Sequence, residues 1–398
     1  MPDDPLSLQQ LLAPVPVRKF LREYREKKSL HLRGASREKF SSLLTLAEVD
    51  QMLAAGYLRH PDCKLVKDGG EIPVARYLIG EPVAGAINLD AVYGEYRKGA
   101  TIVVNGLQKH WRPLAEFCRG LEAGLSVPIQ ANIYLTPKGS QGFAAHYDGH
   151  DVLVLQIAGK KHWRLHGSPV VLPTDRQPFS SSTVAAGPIR QRCTLRPGDL
   201  LYIPRGLVHD ATAANEASLH ITVGIGSTSW GDVLVEALRL LIESDPELRT
   251  SLPPRFAGAT STPRAVQRTL ERVKKKVATR LPLNAALDEL ADRFVTQRVQ
   301  WLDGQLVDLE KSEPIGLDSP LARRSRVLFR WWKERGKVGL IFHRKKIVFP
   351  AFVAPALKFI TETAAFRPAE LPGRMTKHSK LVLCRRLVEE GFLRTNAP

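Results

Sequence analysis

A chain of 398 residues with 43% hydrophobic residues and a formal net charge of +18 has room for two or three domains and an ordinary globular composition. No apolar run reaches the roughly 18 residues that a membrane-spanning helix needs, so no membrane association is expected. The start, MPDDPLSLQQLL, lacks the basic and apolar regions of a secretory signal, and Cys63, Cys118, Cys193 and Cys384 stand singly without a CxxC pair. A structural zinc site and a disulfide framework are therefore disfavoured, and the expected setting is reducing: cytoplasmic, or nuclear or nucleolar in a eukaryote.

Residues 1–98 read as a lead-in of helices and strands. Val17, Phe20, Leu21 and Tyr24 have helical spacing, SLHL is a short strand, and LLTLAEVDQMLAAG is a helix with Thr45 as N-cap and Gly56 as stop. Residues 99–228 open with a strand (ATIVVNG), a helix (RPLAEFCRGLEAGL) and a strand (ANIYLTP). Short β-rich runs then alternate with Gly/Pro turns, the pattern of a sandwich or barrel. Residues 229–312 return to helical periodicity in SWGDVLVEALRLLIESD and TPRAVQRTLERVKKKVATRL, separated by the linker-like SLPPRFAGATSTP. Residues 313–398 combine a candidate hairpin, KVGLIFHRKKIVFP, with the helices FVAPALKFITETAA and TKHSKLVLCRRLVEEG, a set that suggests a winged-helix-like module. From 251 onward there are 29 Lys and Arg against 14 Asp and Glu, a balance of +15. That asymmetry suits a polyanion such as RNA, a ribonucleoprotein or DNA; the plainer alternative is a solvated basic surface.

The chemistry concentrates in HYDGHDVLVLQIAGKKHWRL, residues 146–165. A His and an Asp two apart on a strand share a face, and His209 in GDLLYIPRGLVH offers a third ligand. Two imidazoles and a carboxylate with open positions are the donor set of non-haem Fe(II) oxygenases. The spacing of Gly198, Pro204, Gly206 and His209 matches the second cupin motif, so the pairing with the HxD does not rest on that short motif alone. His150 shares the His146 face and is the rival ligand or a pocket residue; His220, on an apolar strand, either lines the pocket or is a hydrogen-bonded core histidine. His162 should face away, and Asp151 and His166 receive no role.

These two runs resemble the JmjC-type cupin-4 family of ribosomal oxygenases, and the resemblance extends to FLREYREKKSLHLRG, with Arg25 where that family has Trp, and to ANIYLTPKGSQGF. It implies an α+β protein: a double-stranded β-helix (cupin/JmjC jelly-roll) core, a helical dimerisation region and a C-terminal winged helix. It also implies an Fe(II)- and 2-oxoglutarate-dependent dioxygenase, with O2 as co-substrate. His146, Asp148 and His209 would hold iron, Lys161 would pair with the distal carboxylate of 2-oxoglutarate, and Asn132 and Tyr134 would be polar groups near it. The expected substrate is a His or Arg side chain of a ribosomal protein, with rRNA near the basic C-terminal region, and the expected assembly a homodimer. Other readings keep the chemistry but change the substrate, to a small peptide or natural-product precursor or to a methyl-lysine on a histone-type protein. A non-enzymatic reading is a winged-helix nucleic-acid-binding regulator with a ligand-sensing cupin.

Overall fold

The computed structural model describes residues 6–56, 58–80, 85–180, 182, 184–254, 256, 263–310 and 314–395. The chain divides into two compact units, 1–227 and 228–398.

The first unit begins with α1 (Leu8–Leu12), α2 (Val17–Glu23), β1 (Leu30–Leu32) and α3 (Leu46–Ala54). Thr45 caps α3 in a reciprocal box with Glu48, satisfying two backbone donors at the helix start. Then come β2 (Cys63–Lys67), β3 (Gly70–Glu71), β4 (Leu78–Ile79), β5 (Ala86–Ile87), α4 (Leu89–Arg97), β6 (Thr101–Val104), α5 (Arg112–Leu125) and β7 (Ile129–Thr136). The remaining strands are β8 (Asp151–Ala158), β9 (Lys161–Leu165), β10 (Gln191–Leu195), β11 (Leu200–Ile203), β12 (His209–Ala213) and β13 (Ser218–Ile225). An eight-stranded sheet runs β1-β11-β8-β13-β7-β6-β2-β3, and a three-stranded sheet runs β10-β9-β12. The lead-in is thus built into the large sheet: β1 pairs with β11, and β2 with β6.

The run VLVLQ is apolar at every position but the last because β8 is buried on both faces. Leu153 and Leu155 join Leu200, Tyr202, Ile221 and the helices in the larger core. Val152 and Val154 face the other way, into a second cluster with Trp163, Leu165, Leu195, Leu201 and Ile203 between the two sheets. Two antiparallel sheets closing on that second cluster make the jelly roll. Its interior receives the alternate residues of β7, β8, β9 and β13.

The second unit contains α6 (Trp230–Ser244), α7 (Arg264–Arg280), α8 (Leu283–Thr296) and α9 (Gln305–Leu309). The linker read between α6 and α7 falls partly outside the described residues. There follow β14 (Leu321–Arg323), β15 (Arg330–Glu334), β16 (Lys337–Phe342), β17 (Lys345–Pro350), α10 (Ala354–Glu362), β18 (Ala365–Phe366), α11 (Lys377–Glu389) and β19 (Leu393–Arg394). The expected hairpin is β16–β17, turned at His343 and Arg344, both at positive φ as a tight two-residue turn requires. RWWKE adds β15 to it as a third strand. Leu340, Phe342, Leu357, Ile360, Leu387 and Phe392 form this module's core. Among the described residues no helix is long and apolar enough to cross a membrane.

Candidate metal centre

His146 and Asp148 do not lie on a strand, contrary to the sequence expectation. They sit in the irregular segment ahead of β8, and His146 touches the sheet only through a bridge to His209. In that bridge the His146 N–H donates to the His209 carbonyl (3.1 Å) and the His209 N–H to the His146 carbonyl (2.8 Å). One rung away, the Gly206 N–H donates to the Asp148 carbonyl (3.0 Å). The two ligand-bearing segments are thus joined by main chain, and register fixes the side chains. His146 Nε2 lies 3.9 Å from Asp148 Oδ1, and His209 Nε2 lies 3.6 Å from Asp148 Oδ2. All three donor atoms fall within 4.8 Å of one another, the one such group of three among the described residues.

Both imidazoles are oriented in the same way. His146 Nδ1 lies 2.8 Å from the Ala144 carbonyl and His209 Nδ1 lies 3.0 Å from the Leu207 carbonyl. A carbonyl can only accept, so Nδ1 carries the proton and Nε2 keeps its lone pair towards the centre. Burial, then the neighbouring His146, holds His209 below the usual imidazole range, which favours the neutral, ligating form. Two neutral imidazoles and a carboxylate aimed at one point, with one side open to a cavity, fit a divalent metal that keeps free positions for other ligands.

The cavity, about 70 Å³ and partly open to solvent, runs from these residues into the jelly roll. Lys161 is the first residue of β9 and is only 4% exposed. Its Nζ donates to Thr136 Oγ1 (3.0 Å), which lies 3.1 Å from Thr101 Oγ1, and it makes no ion pair among the described residues. Burial pulls its ammonium down to about 7. Trp163 Nε1 and His220 Nδ1, in the same cavity, are buried without hydrogen-bond partners. A buried cation and unpartnered polar atoms around one recess fit a small anion rich in oxygen.

Tyr134 lines this cavity, stacked on His220 with ring centroids 4.9 Å apart and planes 5° apart. Burial, then the charge of Asp148, raises its phenol well above the usual range. Asn132 shares the β7 face, but its Oδ1 accepts from the Gly106 N–H and the Gln130 amide (both 2.9 Å), and it is not among the cavity-lining residues described. His220 enters the cavity at a β-bulge between Leu219 and His220, an irregularity that re-aims a side chain. Burial, then Lys161, depresses its imidazole. His150 packs instead against Gly224, where a Cβ would meet its ring at 2.7 Å. His162 points away, bonding Thr194. Thr136, Trp163 and Thr222 were missed, although alternation from Tyr134, Lys161 and His220 reaches each of them two residues on. Asp210 was missed too; it holds His166 (2.9 Å) and Arg164 on the far face of the small sheet. Tyr147, wedged between two ligands, donates to the Gln177 carbonyl (3.0 Å) and packs edge-on against Phe179, anchoring the long β9–β10 connection beside the centre.

A jelly roll with this donor set is the architecture of the JmjC cupins. Residues 107–233 match the JmjC domain family, and the chain carries that domain. It is also similar in sequence to proteins named ribosomal oxygenases. It is 32% identical over 311 residues to ribosomal oxygenase 1 of Gallus gallus, covering 72% of this chain and 50% of that one. To the bifunctional lysine-specific demethylase and histidyl-hydroxylase NO66 of Drosophila persimilis it is 30% identical over 311 residues, covering 72% and 44%. The chain spans about half the length of these curated relatives. Among solved structures it resembles Escherichia coli ycfD, with a TM-score of 0.57 at 17% identity over 95% of this chain and 98% of that one. It also resembles the Escherichia coli ribosomal oxygenase YcfD in complex with cobalt and 2-oxoglutarate, with a TM-score of 0.54 at 16% identity over 96% and 98%. At such identities these likenesses speak for the fold.

Proposed function

We propose that this chain is an Fe(II)- and 2-oxoglutarate-dependent oxygenase that hydroxylates a protein side chain, a His or Arg of a ribosomal protein. The observation that carries the reading is the pairing, in one cavity, of the His146–Asp148–His209 cluster with a buried Lys161 that makes no ion pair among the described residues. The three ligands would hold the iron by one face. Lys161 would hold the distal carboxylate of 2-oxoglutarate, for which a cation with several donors is suited. The bound iron and 2-oxoglutarate supply the oxidising chemistry: dioxygen and 2-oxoglutarate become succinate and CO2 while one oxygen atom passes to a substrate C–H. This chain's residues do the positioning. Thr136 steadies the Lys161 ammonium, Tyr134 offers its hydroxyl, and Trp163 and Phe143 wall the recess against water.

The substrate class follows the relatives named ribosomal oxygenase, and the basic balance of residues 251–398 supports work near rRNA. We assign residues 313–398 to docking on that target and place the protein in the compartment where ribosomal proteins are free or assembling. A homodimer through residues 229–312 belongs to the same proposal. It is supported by the exposed apolar side chains Trp230, Leu234, Val235 and Leu238 on α6. The test is iron-dependent succinate release in the presence of ribosomal extract, with His146→Ala as control, followed by mass spectrometry for a one-oxygen gain on one ribosomal peptide. Loss of a methyl group with formaldehyde release would instead assign the demethylase activity named for the fly relative. No iron-dependent turnover would refute the oxygenase reading.

A further inference from the structure

We propose that Asp151 is a positioning residue of the metal centre, whose buried carboxylate ties the segment carrying His146 and Asp148 to the loop that delivers His209. The inference rests on the metal reading given above.

Asp151 is the first residue of β8, three after Asp148, and only 2% exposed. Its Oδ1 accepts the backbone N–H of Arg205 (2.9 Å), and its Oδ2 accepts the Tyr202 hydroxyl (2.7 Å). That hydroxyl in turn accepts the Glu26 N–H (2.7 Å), and the Arg205 guanidinium returns to the Glu26 carboxylate (2.8 Å). Four residues thus close a ring of hydrogen bonds. Three stretches far apart in sequence meet in it: the turn after α2, the start of β8, and the end of β11 with the loop beyond.

The place where this ring grips the loop matters. Arg205 immediately precedes Gly206, whose N–H donates to the Asp148 carbonyl, and His209 follows three residues later with its double bridge to His146. From outside inwards the rungs are 151–205, 148–206 and 146–209. The outermost is made by a side chain, so a side-chain substitution of similar volume can remove it without touching the main chain. Gly206 is itself packed closely on its neighbours. It sits at φ +82°, and a Cβ there would meet the Val170 carbonyl at 2.2 Å. A buried carboxylate is a costly way to fill space on the face of β8 that Leu153 and Leu155 share, and desolvation works to raise its pKa while its two donors oppose that. Hydrogen bonds to fixed donors, one of them on the ligand loop, give the carboxylate a role that an apolar side chain would not have.

The test is Co(II) affinity of the full chain, followed by the metal's visible absorption well below the melting temperature, with circular dichroism to confirm the fold. Asp151→Asn keeps the volume but loses one of two acceptors and should raise the Co(II) dissociation constant by about tenfold or more, the scale seen when partners that orient metal ligands are removed. Tyr202→Phe removes only the hydroxyl and leaves the ring on Phe20, 4.9 Å between centroids. It should raise the constant by a smaller factor, about threefold, and it decides the question if Asp151→Asn does not fold. Cobalt affinity within about twofold of wild type in the folded variants, whatever their melting temperature, would make Asp151 a purely structural residue and overturn the proposal. If the wild type itself does not bind cobalt, the metal reading falls first.

Discussion

Lys161 offers the sharpest test of the co-substrate site, because burial has changed its proton affinity in a measurable direction. The side chain titrates near 10.5 in water and about 7 in the folded protein. Between those values the unfolded chain binds more protons than the folded one, so Lys161 makes stability rise with pH from about 7 to 10.5. Below about pH 7 the ammonium is kept in both states, and its burial costs about 5 kcal/mol. Lys161→Met removes the charge and fills much the same space. Urea unfolding without ligand should therefore find the variant more stable than wild type at pH 6. That advantage should shrink by about 2 to 3 kcal/mol between pH 7 and pH 9. The same ammonium is what 2-oxoglutarate would need. Wild-type affinity for 2-oxoglutarate, measured calorimetrically with Co(II) present, should fall roughly tenfold per pH unit above about 7 as binding must take up a proton, and Lys161→Met should lose affinity by about 100-fold or more. Parallel stability curves for the two proteins across pH, or undiminished binding in the variant, would refute the argument.

Further expectations are more local. Tyr134→Phe keeps the stack on His220 but takes a hydroxyl from the cavity, and should weaken 2-oxoglutarate binding by about tenfold with little change in melting temperature. Gly198→Ala places a Cβ 2.0 Å from the Ser36 carbonyl at φ +90° and should cost about 3 kcal/mol, read in a denaturant melt. Arg324→Met takes the guanidinium from the buried carboxylate of Asp308, which keeps its hydrogen bonds from Thr395 in the second unit, and should cost about 3 kcal/mol in the same measurement. His146→Ala should abolish Co(II) binding while leaving the circular dichroism spectrum unchanged.

The candidate ligands were readable in the sequence because their signals are local. His146 and Asp148 lie two apart, and the glycines and proline before His209 record the turns on either side of β11, whose φ values, +90° at Gly198 and +82° at Gly206, other residues rarely adopt. Helix starts were legible for the same reason: Thr45 and Glu48 form their box within one turn. Long-range pairing was not legible. The HxD was expected on a strand, yet it is held by a bridge from His146 to a residue 63 positions away and by the Gly206 N–H on the Asp148 carbonyl, which no periodicity records. Alternation correctly put Asn132 and Tyr134 on one face, but it could not show that Asn132 Oδ1 accepts from the Gly106 N–H and the Gln130 amide. Asp151 looked like another polar residue at a strand start, because its meaning lies in donors contributed by β11 and the loop after it.

The reciprocal hydrogen bonds between the backbones of His146 and His209 bear on how the protein comes to hold its metal. Because main chain and paired carbonyls, rather than the ion, set the ligand geometry, the polypeptide can complete its fold first and be charged afterwards. On the proposed reading, iron would then be a replaceable part. Chelation should strip it without unfolding, and reloading should need only access to the open side of the recess. In a cell, the occupancy of such a protein would follow the supply of labile iron rather than the history of its own synthesis.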